Sequence, residues 1–172
     1  MNPKLAFIFS RRSVRKYEER EVPAAMLHDL LEAGMAAPSA VAKDPWHFII
    51  LRERSELNRL ADILQHGQML RQAGAAFVVC GDIQLAHDQQ ESYLLQDLSA
   101  ASENILLAAN ALGLGTCWLG VHPRPERMDG ISKLFQLPAN IIHMCGIAIG
   151  WPQEPPPART RFKQDRVHHR KW

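Results

Sequence analysis

The chain has 172 residues, of which 47% are hydrophobic and 22% charged, and its 20 basic and 18 acidic side chains leave a formal charge of +2. This composition is typical of one globular domain and excludes a disordered chain, and the small net charge gives no general attraction to nucleic acid or to an anionic membrane. No apolar run approaches the ~20 residues of a membrane helix. We therefore expect a soluble, unexported protein of the cytoplasm.

The cysteines and histidines do not form a metal-binding pattern. Cys80, Cys117 and Cys145 lie in apolar segments without C-x-x-C spacing, and the eight histidines include no H-E-x-x-H motif. A small buried thiol is the usual state of such cysteines. We therefore expect no metal. The chain also lacks a G-x-G-x-x-G or G-K-[ST] loop, so neither a Rossmann dinucleotide site nor a P-loop is predicted.

The first predicted elements are a short helix, from Pro3 to about Ser10, and a basic cluster from Arg11 to Tyr17. The cluster has two interpretations. As a surface patch, its cations would be stabilised near the helix C-terminus by about 0.3–1 kcal/mol each. As a binding site, its guanidinium groups and the Ser13 hydroxyl would converge on a phosphate, which arginine binds through paired donors. The seven residues alone favour the surface patch.

The next elements alternate between helices and strands. A helix opens at Pro23 and runs to about Ala36, and two prolines make the following segment, residues 37–45, an ordered and exposed loop. Apolar periodicity and turn residues then predict a strand at Trp46–Leu51, followed by a helix that Ser55 caps and that ends at Gly67. A short helix through residues 68–70, a strand at Ala75–Gly81 and a polar linker from Asp82 to Ser92 come next.

The longest predicted element is a central helix from about Tyr93 to Leu112. One face carries apolar residues at alternating four- and three-residue steps, namely Leu94, Leu98, Ala101, Ile105, Ala108 and Leu112. The opposite face carries Ala100, Leu106, Leu107, Ala109 and Ala111, so the helix should be buried nearly all round. A chain of this size has few places to bury such a helix, which favours a dimer.

The last third of the chain returns to strands. A strand at residues 116–121 lies between glycines, an amphipathic helix runs from Pro125 through Phe135, and a strand follows from Ile141 to Ile149. From Trp151 onwards, prolines forbid regular structure and predict an extended C-terminal arm, residues 151–172.

Four motifs in this order resemble those of the FMN-dependent nitroreductase family. They are Arg-Arg-Ser-Val-Arg-Lys-Tyr at 11–17, Ala-Pro-Ser-Ala at 37–40 with Pro-Trp at 45–46, Gln-Asp at 96–97, and Gly-Leu-Gly-Thr-Cys-Trp-Leu-Gly at 113–120. The resemblance runs from Ser10 to Trp172. It implies a single nitroreductase-like domain, residues 1–172, of the α+β class, with a central, mostly antiparallel β-sheet flanked by helices. It also implies a long buried central helix and an intertwined homodimer with FMN at the subunit interface.

The resemblance also implies which residues bind the cofactor. It places the phosphate and ribityl end of FMN on Arg11, Arg12 and Ser13, with the late basic pair Arg159 and Arg161 on the same phosphate. Around the flavin ring it places Arg15 at the pyrimidine edge, Leu119 and Gly120 at N5, and Gln68 nearby. The loop of Pro38, Ser39 and Ala40 would reach the ring from the partner subunit.

The chemistry of these residues agrees with the implied roles. Hydride transfer leaves negative charge near flavin N1 and O2, and a cation such as Arg15 raises the reduction potential there. Gly120 has no Cβ, so its backbone can approach a ligand closely. The chain departs from the family at Ala42 and Asp44, where Asn and Gln are usual, so one polar contact from the loop should be missing. The short linker at 82–92 predicts an open site.

These features predict an FMN-dependent oxidoreductase that takes hydride from NADH or NADPH and reduces a small aromatic acceptor, a nitroaromatic or a quinone, by a ping-pong mechanism. No side chain is predicted to act as acid, base or nucleophile, because the flavin carries the chemistry. Two alternatives stay open. The same FMN fold could carry out another flavin reaction, such as dehydrogenation or dehalogenation, or it could be a non-catalytic module that binds flavin or another phosphorylated ligand.

Overall fold

The computed structural model describes residues 2–154 and 157–172 of the chain. Short 3₁₀ turns lie at Pro3–Leu5, Ala40–Ala42, Gln68–Arg71, His87–Gln89 and Gln164–Arg166. The helices and strands, in chain order, are α1 (Ala6–Ser10), α2 (Ala24–Met35), β1 (Trp46–Leu51), α3 (Arg54–Ile63), β2 (Ala75–Asp82), α4 (Glu91–Ala111), β3 (Gly115–Gly120), α5 (Pro125–Phe135) and β4 (Ile141–Gly150).

The four strands form one antiparallel sheet in the order β1-β2-β4-β3. The side chains of β2 alternate between two buried clusters: Phe77 and Val79 pack with α2 and α4, whereas Val78 and Cys80 pack with α3. Both faces of the sheet are therefore covered, which explains why β2 is a continuous apolar run instead of an alternating one. The α+β fold with an antiparallel sheet flanked by helices is confirmed.

The central helix α4 packs against α2 and against the sheet. Leu94, Leu98, Ala101 and Ile105 are fully buried, as the periodicity predicts. The C-terminal end differs from the prediction, because α4 ends at Ala111 and Leu112 beyond it is 39% exposed. The long central helix is confirmed, and within a single chain its last turn is left partly uncovered.

The start of α3 corrects the predicted helix cap. Glu53, not Ser55, is the N-cap: the Glu53 side chain accepts a hydrogen bond from the backbone N–H of Glu56, whose own carboxylate accepts one from the N–H of Glu53 at 3.3 Å. This reciprocal pair satisfies two free N–H groups of the first turn. The helix ends at Ile63, short of the predicted Gly67, and Pro23 precedes α2 as its N-cap instead of opening it.

The segment after α1 extends the sheet beyond its β3 edge. Ser13 pairs in parallel with Thr116, the N–H of Val14 donates to the carbonyl oxygen of Thr116 at 2.8 Å, and Tyr17 bridges to Pro152. The buried Tyr17 hydroxyl donates to the carbonyl oxygen of Val14 at 2.8 Å. The basic cluster is therefore fixed along β3 by backbone pairing, and its side chains reach both ends of that strand.

The C-terminal arm leaves the sheet after β4. Trp151 is held by a hydrogen bond from its indole nitrogen to the carbonyl oxygen of Glu21 at 3.1 Å and by Arg20, whose guanidinium lies 3.8 Å from the ring centre. Residues 155 and 156 of the predicted arm lie outside the described residues. Residues 157–172 are exposed, with one 3₁₀ turn. Within the described ranges, every helix is too short or too polar to span a membrane.

Candidate functional site

Two pockets lie along β3, one at each end of the strand. The first, called the Arg12 pocket, has a volume of about 200 Å³ and lies between the basic cluster and the first residues of β3, with Ser10, Arg11, Arg12, Asn110, Gly115 and Thr116 in its wall. The second, called the Gly120 pocket, has a volume of about 150 Å³ and lies at the last residues of β3, with Arg15, His66, Met69, Leu119, Gly120 and Arg127 in its wall. The strand that separates them spans about 17 Å.

The Arg12 pocket is a basic hollow whose cations already have protein partners. Arg11 lies 3.6 Å from the carboxylate of Glu103, and Arg12 donates to the carbonyl oxygen of Pro157 at 2.6 Å. Asn110 donates to the hydroxyl of Ser10 at 2.8 Å. Because a guanidinium carries five N–H donors, Arg11 and Arg12 can each bind an anion in addition to these partners.

The Gly120 pocket combines a bare backbone with basic side chains. An ideal Cβ built on Gly120 meets no atom within 4 Å, so open space lies beside the end of β3. Arg15 belongs to the same wall, and Arg127 donates from Nη1 to the carbonyl oxygen of Gly120 at 2.7 Å. The pocket can therefore accept a flat group against the backbone with a cation at its edge.

Cys117 lies in the wall of the Gly120 pocket but is not poised to react. Burial raises the pKa of its thiol, and the nearby cation of Arg15 opposes this only in part. A thiol in its neutral form is a poor nucleophile and a poor metal ligand. The sequence-based view of Cys117 as a small core residue therefore agrees with its surroundings.

The loop of Pro38, Ser39 and Ala40 lies apart from both pockets of its own chain. Ser39 donates from its hydroxyl to the carboxylate of Asp44 at 2.6 Å, and the N–H of Ala40 donates to Asp97 at 2.8 Å. Asp97 is 5% exposed, and its second oxygen, Oδ2, has no donor among residues 2–154 and 157–172. The resemblance assigns this loop to the partner's flavin, and that assignment stays a prediction.

Four other predicted site residues lie outside the two pocket walls. Ser13 is exposed and pairs through its backbone with Thr116. Gln68 is exposed; its amide oxygen accepts a hydrogen bond from Arg71 at 2.9 Å, and its amide nitrogen donates to Ala61 at 3.4 Å. Arg159 and Arg161 are exposed on the arm, where the backbone N–H of Arg159 donates to the carbonyl oxygen of Phe9 at 3.2 Å. Their cofactor contacts stay predictions.

Sequence reasoning missed four residues of the site. Arg127 and His66 line the Gly120 pocket, Asn110 lines the Arg12 pocket, and Asp97 holds the loop. Asp97 was part of a quoted motif but received no role. Arg127 and His66 lie within predicted helices, at positions where polar side chains are usual, so no local signal distinguished them from surface residues.

One exposed group of potential metal ligands lies on α2. A ligand atom from each of His28, Asp29 and Glu32 falls within 4.8 Å of the others. All three side chains are exposed, and His28 and Glu32 are neighbours one helical turn apart. Such polar neighbours are common on a solvent-facing helix surface, so this group is not a candidate site.

Comparisons with known proteins decide the family. The model of the nitroreductase family matches residues 8–68 and 64–151. The chain belongs to the nitroreductase family. Two archaeal relatives, both named "Putative NADH dehydrogenase/NAD(P)H nitroreductase", support this assignment. The protein from Methanothermobacter thermautotrophicus is 44% identical over 98% of this chain and 87% of its own length, and the protein from Archaeoglobus fulgidus is 43% identical over 98% of each.

Solved structures of the nitroreductase family have the same fold. A protein from Parabacteroides distasonis with the same name superposes with a TM-score of 0.93 and 37% identity over 100% of both chains. A protein from Desulfovibrio desulfuricans, crystallised in complex with FMN, superposes with a TM-score of 0.85 and 29% identity over 100% of this chain and 99% of that one. The predicted family and fold are confirmed, and the chain is an oxidoreductase of the nitroreductase type.

Proposed function

We propose that this nitroreductase-family chain binds FMN along β3, with the phosphate in the Arg12 pocket and the ring in the Gly120 pocket. The observation that carries the proposal is the pair of pockets at opposite ends of one strand, a basic one and one with a bare backbone. FMN has the matching form, because its phosphate and its flat ring lie at opposite ends of the ribityl chain. The FMN complex of the Desulfovibrio relative supports the same cofactor.

The arginines of the basic cluster bind both ends of the cofactor. Arg11 and Arg12 bind the phosphate oxygens with the N–H donors that Glu103 and Pro157 leave free. Arg15 places its positive charge at the pyrimidine edge, where charge develops on reduction. The backbone of Leu119 and Gly120 lies against the ring. FMN itself supplies the hydride chemistry when bound.

The reaction we propose joins two half-reactions in one pocket. NADH or NADPH delivers a hydride and leaves, and then an aromatic acceptor takes two electrons; for a quinone the sum is NAD(P)H + H⁺ + quinone → NAD(P)⁺ + hydroquinone. Shared use of one pocket gives ping-pong kinetics. Relatives at 24–25% identity are named "FMN reductase (NADPH)" and "Oxygen-insensitive NADPH nitroreductase", which supports this class of reaction.

The site is completed by a second copy of the chain. The loop of Pro38, Ser39 and Ala40 lies away from the pockets of its own chain, so it can reach a flavin only in a dimer. Exposed apolar side chains support the homodimer: Val41 is 70% exposed, Leu112 39%, and Phe162 on the arm 73%. Light scattering of the purified protein tests this, with a mass of two chains expected and a mass of one chain contradicting it.

The proposed cofactor is tested on the purified protein. We expect a yellow protein that releases FMN on heating and is bleached by NADH or NADPH without oxygen. The double substitution Arg11→Gln with Arg12→Gln should lower FMN affinity by roughly a hundredfold, because two charge-assisted contacts are lost. Arg59→Gln is the matched control, since Arg59 is exposed on α3 and lines neither pocket. FMN affinity that is unchanged in the double variant would contradict the placement.

The same preparation separates the alternatives. Bound FMN without any bleaching by reduced nicotinamides points to the non-catalytic module. Bleaching without turnover of either menadione or nitrofurazone points to another flavin reaction. Bleaching followed by reoxidation with one of these acceptors is the outcome that the proposal expects.

A further inference from the structure

The Gly120 pocket is basic beyond what the cofactor requires. Three of its lining residues are basic, namely Arg15, His66 and Arg127, and the remaining lining residues are uncharged. Arg15 already serves the cofactor under the proposed function. Arg127 and His66 are left without a role, at the end of β3 where a second ligand would approach.

Arg127 is held in place at the edge of this pocket. It lies in the first turn of α5, is half-buried, and is fixed by the bond from Nη1 to the carbonyl oxygen of Gly120 at 2.7 Å. One bond uses one of the five N–H donors of a guanidinium, so the others remain for a ligand. A cation in the first turn also lies at the unfavourable, positive end of the helix dipole. That position is costly for stability, which makes a binding role the better explanation of the residue.

We infer that Arg127, assisted by His66, binds an anionic group on the ligand that exchanges electrons with the flavin. The inference rests on the proposed function and names the ligand class for the same site. Carboxylate, sulfonate and phosphate groups match the planar donors of a guanidinium. A pocket lined by cations without acids also concentrates anions at its mouth. The anion belongs either to the acceptor or to the diphosphate of the reduced nicotinamide dinucleotide.

The first experiment asks whether the anion belongs to the acceptor. It compares 4-nitrobenzoate with 4-nitrobenzamide, which have nearly the same shape but differ in charge. We expect the ratio of their kcat/KM values, benzoate over benzamide, to fall by roughly tenfold in Arg127→Gln, the effect of one charge-assisted hydrogen bond. Because the ratio is compared between two proteins, the different intrinsic reactivity of the two compounds cancels. Arg127→Lys keeps the charge and should restore part of the ratio.

A binding measurement on the oxidised protein gives a readout without turnover. Calorimetric titration of the FMN-loaded protein with 4-nitrobenzoate should show the same loss of affinity in Arg127→Gln, and little change with 4-nitrobenzamide. Raising the salt concentration from about 0.05 to about 0.5 M should weaken the binding of the anion alone, because salt screens exposed charges.

A second experiment asks whether the anion belongs to the reductant. It compares NADH with 1-benzyl-1,4-dihydronicotinamide, which carries no phosphate. If the anion belongs to the dinucleotide, Arg127→Gln slows anaerobic reduction of the flavin by NADH about tenfold and leaves reduction by the benzyl compound unchanged. Normal reduction by the benzyl compound also shows that the loss of the bond to Gly120 has not damaged the flavin site.

Arg124→Gln is the control for charge at this end of α5. Arg124 is exposed, precedes the same helix and lies outside the pocket wall. The variant should therefore change neither the kcat/KM ratio of the two acceptors nor the ratio of the reduction rates with NADH and with the benzyl compound. If both ratios are the same in wild type and Arg127→Gln, the inference is wrong and the proposed function stands. If the wild type is not reduced even by the benzyl compound, the proposed function fails and the inference falls with it.

Discussion

The two surfaces that we propose to face the flavin are built in different ways. At β3, every residue from Gly115 to Gly120 is paired with β4, and the adjoining segment is paired with β3 in turn. The loop at 38–44 has only local turns and side-chain hydrogen bonds. Val41, Ala42 and Asp44 have positive φ angles of 54°, 50° and 49°, although none of them is glycine. Backbone pairing therefore defines one surface, and a few side chains define the other.

The two surfaces also differ in how much strain their backbones hold. Left-handed backbone costs a residue other than glycine about 1–2 kcal/mol, and Asp97 adds a buried oxygen without a donor among the described residues. Such strain persists only where the surroundings impose it, and it is common at functional sites. The free energy of unfolding should therefore change little when side chains on the β3 surface are changed, whereas the loop should depend on single residues such as Asp97.

The largest expected effect is at Gly120 on the β3 surface. In Gly120→Ala the new methyl group meets no protein atom, so the free energy of unfolding without FMN should stay unchanged. The methyl group fills the space proposed for the ring, so FMN affinity should fall by roughly tenfold to a hundredfold, the cost of overpacking by 1–3 kcal/mol. Fluorescence titration with FMN measures the affinity.

Gly146→Ala is the matched control for this change. Gly146 pairs with Leu119 in the neighbouring strand, and a Cβ there meets its nearest atoms at 3.5–3.9 Å, which is ordinary van der Waals contact. This variant should bind FMN as wild type does. An equal loss of affinity in both variants would show that the sheet, and not the ring pocket, is disturbed.

The next largest effect is at Asp97 beneath the loop. Asp97→Ala leaves the N–H of Ala40 without its acceptor, and we expect the free energy of unfolding to fall by about 1–3 kcal/mol. Urea denaturation measures this change. FMN affinity should fall as well, because the loop is no longer held. Asp97→Asn keeps a carbonyl oxygen for Ala40 and should restore most of both properties; failure of this rescue would mean that the charge of Asp97 matters more than its hydrogen bond.

A smaller effect of opposite sign is expected within the loop itself. Ala42 has a φ of 50°, a conformation that asparagine adopts more easily than alanine. Ala42→Asn should therefore raise the free energy of unfolding by about 0.5–1 kcal/mol and the Tm by roughly 1–4 °C. The same change at Ala36, whose φ is −80°, is the control and should give no gain. Calorimetry distinguishes the two variants, and equal gains would remove backbone strain as the reason.

The free energy of unfolding should depend on pH through His143, which lies in β4, the strand paired with β3. This residue is 2% exposed and bonds through Nε2 to the carbonyl oxygen of Met128 at 2.8 Å, which ties β4 to α5. Burial lowers the pKa of His143 below its ordinary value of 6.5, although that hydrogen bond opposes the shift. Below pH 6.5 the unfolded chain binds a proton that the folded chain does not, so stability should decrease as the pH falls.

The measurement is urea denaturation at a series of pH values, with His143→Gln as the comparison. Glutamine can still donate a hydrogen bond toward Met128 but does not titrate in this range. The decrease in stability below pH 6.5 should be smaller in this variant. An identical pH profile in both proteins would assign the effect to other histidines.

The smallest expected effect is at Gln68. Its contact with Arg71 is exposed and its contact with Ala61 is long, at 3.4 Å, and partly buried; Arg71 is also paired with Asp62 at 2.6 Å. Gln68→Ala should change the free energy of unfolding by less than about 0.5 kcal/mol. FMN affinity decides the predicted contact with the cofactor: a tenfold loss would show that Gln68 turns toward the ring, and no change would remove it from the site.

The sequence by itself determined the strands, the long central helix and the family. Each strand was predicted to within one residue at either end, because apolar periodicity and flanking glycines are local properties of the chain. Four motifs in order identified the nitroreductase family without any contact being known. Helix ends were predicted less well, as the start of α3 shows. Ser55 was the predicted cap, but Glu53 and Glu56 each accept a hydrogen bond from the other's backbone N–H, and this reciprocal pair starts the helix earlier.

Only the tertiary structure decided which distant residues meet at the site. It agrees with the predicted separation of Arg11 and Arg12 from Arg15, but it also brings Arg127 to Gly120 and joins Ala40 to Asp97 across 57 residues of sequence, which no motif predicted. Periodicity specifies which face of an element is buried, but not which residue of a distant element lies opposite it. That choice depends on how the helices pack on the sheet, and it is made by the whole core at once.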